Sequence, residues 1–169
     1  GWTSARYTSD IYASPESART AEFSYEINST VYKLSGDNEI ENLGPLSEYD
    51  PVDRQQNIYE IDNTDKDAND KERIKIVFDI EVKTEATVRF DIKQETRYTV
   101  LPLDVYSAEF TDGVTTIPGE INKEMMLSYT IEPSETLKTY QCTVVLDHNG
   151  FDQKVDNYIN IIPSITQVD

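Results

Sequence analysis

Apolar and polar residues alternate along most of this chain with a period of two, the spacing of strands that stand one face in a core and one in water. Ala21, Phe23, Tyr25 and Ile27 share one face, with Glu22, Ser24 and Glu26 on the other. The longest clean run is Ile74, Ile76, Phe78, Ile80 and Val82, opposed by Lys75, Asp79, Glu81 and Lys83. After the polar turn "KTEA" (83–86) the pattern resumes at Ala86, Val88, Phe90 and Ile92, so the two runs together read as a hairpin. Further strands are expected at Met125, Leu127, Tyr129 and Ile131, at Tyr140, Cys142, Val144 and Leu146, and at Ile159, Ile161 and Ile165. One wet and one dry face per strand predicts an all-β fold, an antiparallel β-sandwich.

Two stretches depart from this regularity. Ahead of the first alternating strand lies another strand-like segment, Trp2 to Ile11, separated from it by "SPES" (14–17). Between Asp37 and Glu72 the alternation fails, and twelve acids stand against three bases, Arg54, Lys66 and Lys71. With "LGPL" and "DP" as turn signals, this region reads as a long acidic surface excursion holding one short strand at "NIYEI". Short helices are expected at "GEINKEM" (119–125) and after Pro133. No repeat or domain boundary interrupts the rest. The organisation is therefore an N-terminal strand (1–12), a linker (13–20) and one sandwich domain (21–169).

Composition narrows the functional classes. At 169 residues the chain suits one domain that buries roughly 70% of its unfolded surface. Hydrophobic residues are 37% and mean hydropathy is −0.58, which calls for an economical core. A net charge of −17 disfavours nucleic acid and anionic membranes, where basic patches supply the affinity. No apolar run approaches the ~20 residues of a membrane span, so membrane insertion is not expected. Residue 1 is Gly, which we read as numbering that begins after removal of a secretory signal. A single cysteine excludes an intrachain disulfide and suits the surface of a monoderm bacterium or an archaeon.

Little in the sequence asks for catalysis. His148 is the only histidine, so an HExxH zinc site is excluded, and beside Asn149-Gly150 it reads as a turn residue. Cys142 shares a face with Tyr140, Val144 and Leu146 and reads as a small core residue. "DNTDKDAND" (62–70) has Asp65, Asp67 and Asn69 at alternate positions, as a calcium loop does. Asp70 stands where an EF-hand needs glycine, and Ile76 where it needs glutamate, so a solvated acidic loop is the better reading and these three are weak metal candidates. "NST" (28–30) is a glycosylation sequon, relevant only in a host that uses it. No phosphate loop or nucleophile motif is present. No enzyme activity, metal or cofactor is expected.

The opening stretch resembles the TasA/camelysin family of secreted surface proteins. Ala5, Arg6, Tyr7 and Thr8 match the start of the family's mature chain, and "ESARTAEF" (16–23) matches its next motif, with Glu16 for the usual Asp and Glu22 for the usual Lys. The likeness continues at "IVFDIEVKTEATVRFDIK" (76–93), which looks like the family's hairpin, at "LPL" (101–103) and at "ITQVD" (165–169). The stretch 37–72 has no match. The resemblance implies a jelly-roll-like sandwich, export by a dedicated signal peptidase, an extracellular or cell-surface location, and subunits of biofilm-matrix fibres. In such fibres the N-terminal strand of one subunit completes the sheet of its neighbour. Some members carry a metalloprotease label, which one histidine without a zinc motif does not support.

The physics of residues 1–12 agrees with that role. A strand-like arm on a linker can pair with a sheet edge of another molecule. Extended, it reaches about 40 Å. It is also neutral, Arg6 balancing Asp10, so it can approach a copy of this acidic chain without repulsion. The expected subunit contacts are Trp2, Ala5, Arg6, Tyr7, Thr8 and Ile11, and the expected partner is the chain itself in a head-to-tail homopolymer, with other surface or matrix components as further candidates. The alternative is that residues 1–12 are the first strand of their own sheet, or frayed. A different functional class is a monomeric adhesion or carbohydrate-binding sandwich using some of the eleven tyrosines as a platform.

Overall fold

The computed structural model describes residues 6–9, 22–47, 52, 58–96, 102–120, 126–148, 153–158 and 160–168. These residues form eleven strands and no helix, and every strand pairing is antiparallel. The larger sheet holds β1 (Arg6–Ser9), β2 (Phe23–Ser35), β5 (Glu72–Thr84), β9 (Ser134–Asp147) and β7 (Asp104–Thr111) in that order, with β3 (Asn38–Gly44) also on β2. A three-stranded sheet runs β11 (Asn160–Gln167), β6 (Val88–Glu95), β8 (Leu127–Ile131), and β4 (Ile58–Asp62) pairs with β10 (Lys154–Tyr158) as a ribbon. The two larger sheets make a β-sandwich.

β5 is the centre of the fold. Its alternation puts Ile74, Ile76, Phe78, Ile80 and Val82 at 0–1% exposure, while Asp79, Glu81 and Lys83 face water. Opposite rungs bring buried partners together, Ile27 and Ile80 with β2, Phe78 and Cys142 with β9. Phe23, Val88 and Phe90 are buried as the pattern requires, and Tyr25 is half-buried. Each full burial contributes roughly 1.5–3 kcal/mol.

The hairpin expected over 74–92 does not form. β5 and β6 belong to different sheets, and "KTEA" is an arch that carries the chain from one layer to the other. Thr84 shapes it, its hydroxyl bonding the Ala86 carbonyl at 2.6 Å and accepting from the Ala86 N–H at 3.1 Å. Periodicity reports which face is dry, and both strands do turn that face inward, but toward each other across the core. Phe78 meets Phe90 edge-on with centroids 5.8 Å apart. Phe90 also stacks on Phe110 and Tyr129, and Phe110 on Tyr140.

Two further expectations are corrected, and a third falls mostly outside the described residues. The helix expected after Pro133 is β9, whose Thr136, Thr139 and Tyr140 favour the extended state and whose ladder to β5 starts at Ser134–Thr84. At "GEINKEM" (119–125) Gly119 is irregular, Glu120 bridges Ser128 in extended backbone, and 121–125 lie outside the described residues. The acidic excursion is not wholly outside. It begins as β3, whose Glu39 and Glu41 are exposed, and then buries Leu46, Tyr59 and Ile61. The Leu46 N–H bonds the Ser29 hydroxyl at 3.0 Å, stitching the loop to β2.

Gly36 starts the two-residue turn between β2 and β3 with φ +59, and its N–H bonds the Lys71 carbonyl at 2.9 Å. A Cβ there would lie 2.0 Å from the Asn69 carbonyl oxygen. Gly36→Ala should therefore lose more than the ~1–2 kcal/mol of the left-handed conformation alone. Urea denaturation checks this, and a loss below about 0.5 kcal/mol would show that the turn yields freely.

Candidate assembly edge

β2 is long enough to take two partners on the side away from β5. β3 occupies Val31–Ser35, leaving the first half of β2 as open margin. β1 fills it: Arg6 pairs with Asn28, Tyr7 with Ile27, Thr8 with Glu26 and Ser9 with Tyr25. In the single chain, residues 6–9 are a strand of their own sheet, the alternative left open above. The cause is tethering. Residues 10–22 join the arm to β2, and a tether that short holds it at an effective concentration in the millimolar range. Of the predicted contact residues, Arg6, Tyr7 and Thr8 are brought to this margin, while Trp2, Ala5 and Ile11 lie outside the described residues.

The arm's rungs fall on Tyr25–Asn28 of β2, where buried Ile27 alternates with Glu26 and Asn28. Asn28 donates its side-chain amide to Glu26 at 3.0 Å. Asn28 is paired on both sides, to Arg6 and to Asp79, so the sequon sits within a sheet and not on a free loop. Phe23 and Tyr25 stack their rings nearby, centroids 6.2 Å apart.

The weak metal candidates do not converge. Asp67 accepts the Asn69 N–H at 2.8 Å, the turn made by an aspartate bonding the backbone two residues on. Asp65 stands at φ 53, and among the described residues no group of three or more acids, histidines or cysteines could hold a metal. What organises the loop is a residue that sequence reading passed over. Glu72 is 7% exposed and accepts from Lys66 at 3.1 Å and from the Asp62 N–H at 2.9 Å, with Lys33 3.7 Å away. Its own N–H bonds the buried Asn63 side chain at 2.8 Å. The available signal was "ERI", where a charged pair opens an otherwise alternating strand.

Next to Glu72, Arg73 is 6% exposed, its guanidinium carbon 3.9 Å from the Tyr106 ring centroid and its Nε 3.6 Å from Asp147. With Ala68, Lys71, Asp104 and Val105 these residues line an open cleft of about 570 Å³. Two cations and two carboxylates cancel there, and no serine or cysteine lines it. His148 is 2% exposed and so not a surface turn residue, and burial pushes its pKa below the usual imidazole value against the pull of Asp147 and Asp104. Cys142 is fully buried, and burial lifts its thiol to about 12. The arrangement suits a neutral imidazole and an inert thiol within a packed interior. No protein-family model, curated protein or solved structure matches the chain.

Proposed function

We propose that this protein is a structural subunit of an extracellular filament, a biofilm-matrix or surface fibre of the kind made by the TasA/camelysin family it resembles. Subunits join head to tail when the N-terminal arm of one completes a sheet of the next. The protein works outside the cell or on its surface, its principal partner is itself, and it is not an enzyme. The observation that carries this reading is the arm as an edge strand on its own β2, with four rungs among the described residues. A short marginal strand on a linker is what strand exchange releases and remakes, and the cost of release returns when the same backbone groups pair in a neighbour. The arm's neutrality within a chain of net −17 removes the charge barrier at the joint alone.

A monomeric adhesion or carbohydrate-binding module is the second reading, favoured by one feature. Tyr106 is 55% exposed beside the polar cleft and could offer a ring face to a sugar.

Electron microscopy of the purified protein across a sodium chloride series separates the two. Filaments are expected, growing faster at 0.15 M than at 0.01 M, because screening shortens the reach of subunit repulsion from about 30 to about 8 Å. Growth that slows with added salt would count against assembly limited by repulsion. Monomers under every condition would overturn the filament reading.

A further inference from the structure

We propose that the outer edge of β11 is the acceptor for the arm of a second copy, an inference that rests on the filament reading and specifies its joint. β11 pairs with β6 over eight consecutive rungs without a bulge, and no described strand pairs with its other side. In a strand, the N–H and C=O of one residue point to the same side. Met126 donates to the Ile92 carbonyl at 2.8 Å, so Ile92 points toward β8. Pro163, opposite Ile92, therefore turns its backbone away from β6, and so do Ile161, Ile165 and Gln167. The Val168 N–H bond to the Thr87 carbonyl at 2.9 Å fixes the same phase at the Gln167–Val88 rung. Pro163 is tolerated because the N–H it lacks belongs to the outer side. That side presents the carbonyls of all four residues and the N–H groups of three.

Three other described margins carry charges and register shifts. β3 carries Glu39 and Glu41 and two register shifts. β7 carries Asp104 and Glu109 and a shift between Val105 and Ser107. The start of β9 carries Glu135 and Lys138, and its pairing with β5 shifts between Val82 and Thr84. Charges, bulges and edge prolines are devices by which proteins keep edges from pairing. β11, "NIIPSITQ", has no charge and no bulge, and its one such device, Pro163, removes a single N–H.

The occupant follows from charge, length and placement. The acceptor strand is uncharged and the arm 1–12 is neutral, so these two segments can meet between copies of net charge −17. Eight residues of antiparallel strand span about 27 Å, within the arm's reach of about 40 Å. On its own β2 the described part of the arm has four rungs, and β11 offers up to eight. The arm is rooted at the margin of the six-stranded sheet and the acceptor lies on the three-stranded sheet, so donor and acceptor differ and the contact propagates instead of closing.

Paired cysteines test this, since the native Cys142 is buried and stays silent. The probe is the full-length protein with Thr8→Cys combined with Ile162→Cys, Ser164→Cys or Thr166→Cys in turn, assembled and mildly oxidised. Thr8→Cys with Glu26→Cys reports the arm on β2. The expected result is a ladder of covalent dimers, trimers and higher multimers from at least one β11 pair, while the Glu26 pair closes within monomers. A ladder from the Glu26 pair alone would overturn the β11 acceptor and leave strand exchange standing at β2. Filaments that give no ladder from any pair overturn both sites for the arm. Absence of filaments overturns the inference together with the reading it rests on.

Discussion

Phe90→Ala should lower the free energy of unfolding by about 3–5 kcal/mol, the largest loss expected of any single truncation here. Phe90 has no exposed surface and is the ring where the two layers meet, within 5.8 Å of Phe78 and of Phe110 and 6.4 Å of Tyr129, measured between centroids. Removing it leaves a void lined by three rings on different strands, and a sandwich cannot close such a void without tilting one sheet on the other. Tyr25→Ala, at a half-buried position, should cost clearly less. Urea denaturation measures both, with the midpoint falling and the slope unchanged if only stability alters. A Phe90→Ala loss below 1 kcal/mol would mean that the layers do not bear on each other at this ring.

Removing residues 1–12 should abolish filaments while leaving the sandwich folded. The apolar core from Phe23 to Ile165 is built by strands that follow the arm, so the truncated chain should keep a cooperative unfolding transition. Single alanines in the arm should weaken assembly only modestly, since main-chain pairing carries most of the affinity in strand addition. Electron microscopy and sedimentation of truncated and intact protein side by side decide the matter. Truncated protein that builds the same filaments would remove the arm from the joint altogether.

The sequence showed most plainly what a two-residue period can encode. β5, β6, β8, β11 and the second half of β9 were legible because each has one dry face, and Ile74 through Val82 on β5 left no ambiguity. β3 was illegible because "NEIENLG" is exposed along most of both faces, so its strand character comes from the Gly36 turn and from β2, not from burial. β7 failed for the same reason, with Phe110 as its single fully buried side chain. The arch at "KTEA" shows a second limit. Alternation tells a residue which way to face and is silent about which strand lies beside it, a choice made by backbone pairing across long sequence distances. The arm illustrates both points. Its strand character could be read, and its partner, Tyr25–Asn28 of its own β2, could not.

The central position of β5 has a kinetic consequence. Its nearest rung to β2 joins Glu72 to Ser35 and its nearest rung to β9 joins Thr84 to Ser134, so no pairing of this strand is local. Chains dominated by such distant contacts fold in milliseconds to seconds, because loop closure must precede any reward. The β2–β3 hairpin is the exception, closing over two residues at Gly36 on a scale of about 1–10 μs. A chain emerging N-terminus first would hold that hairpin early and then wait with one edge of β5 unpaired until β9 had appeared. The interval before residues 134–146 arrive is the period in which this protein is most open to mispairing, and most in need of its negative charge.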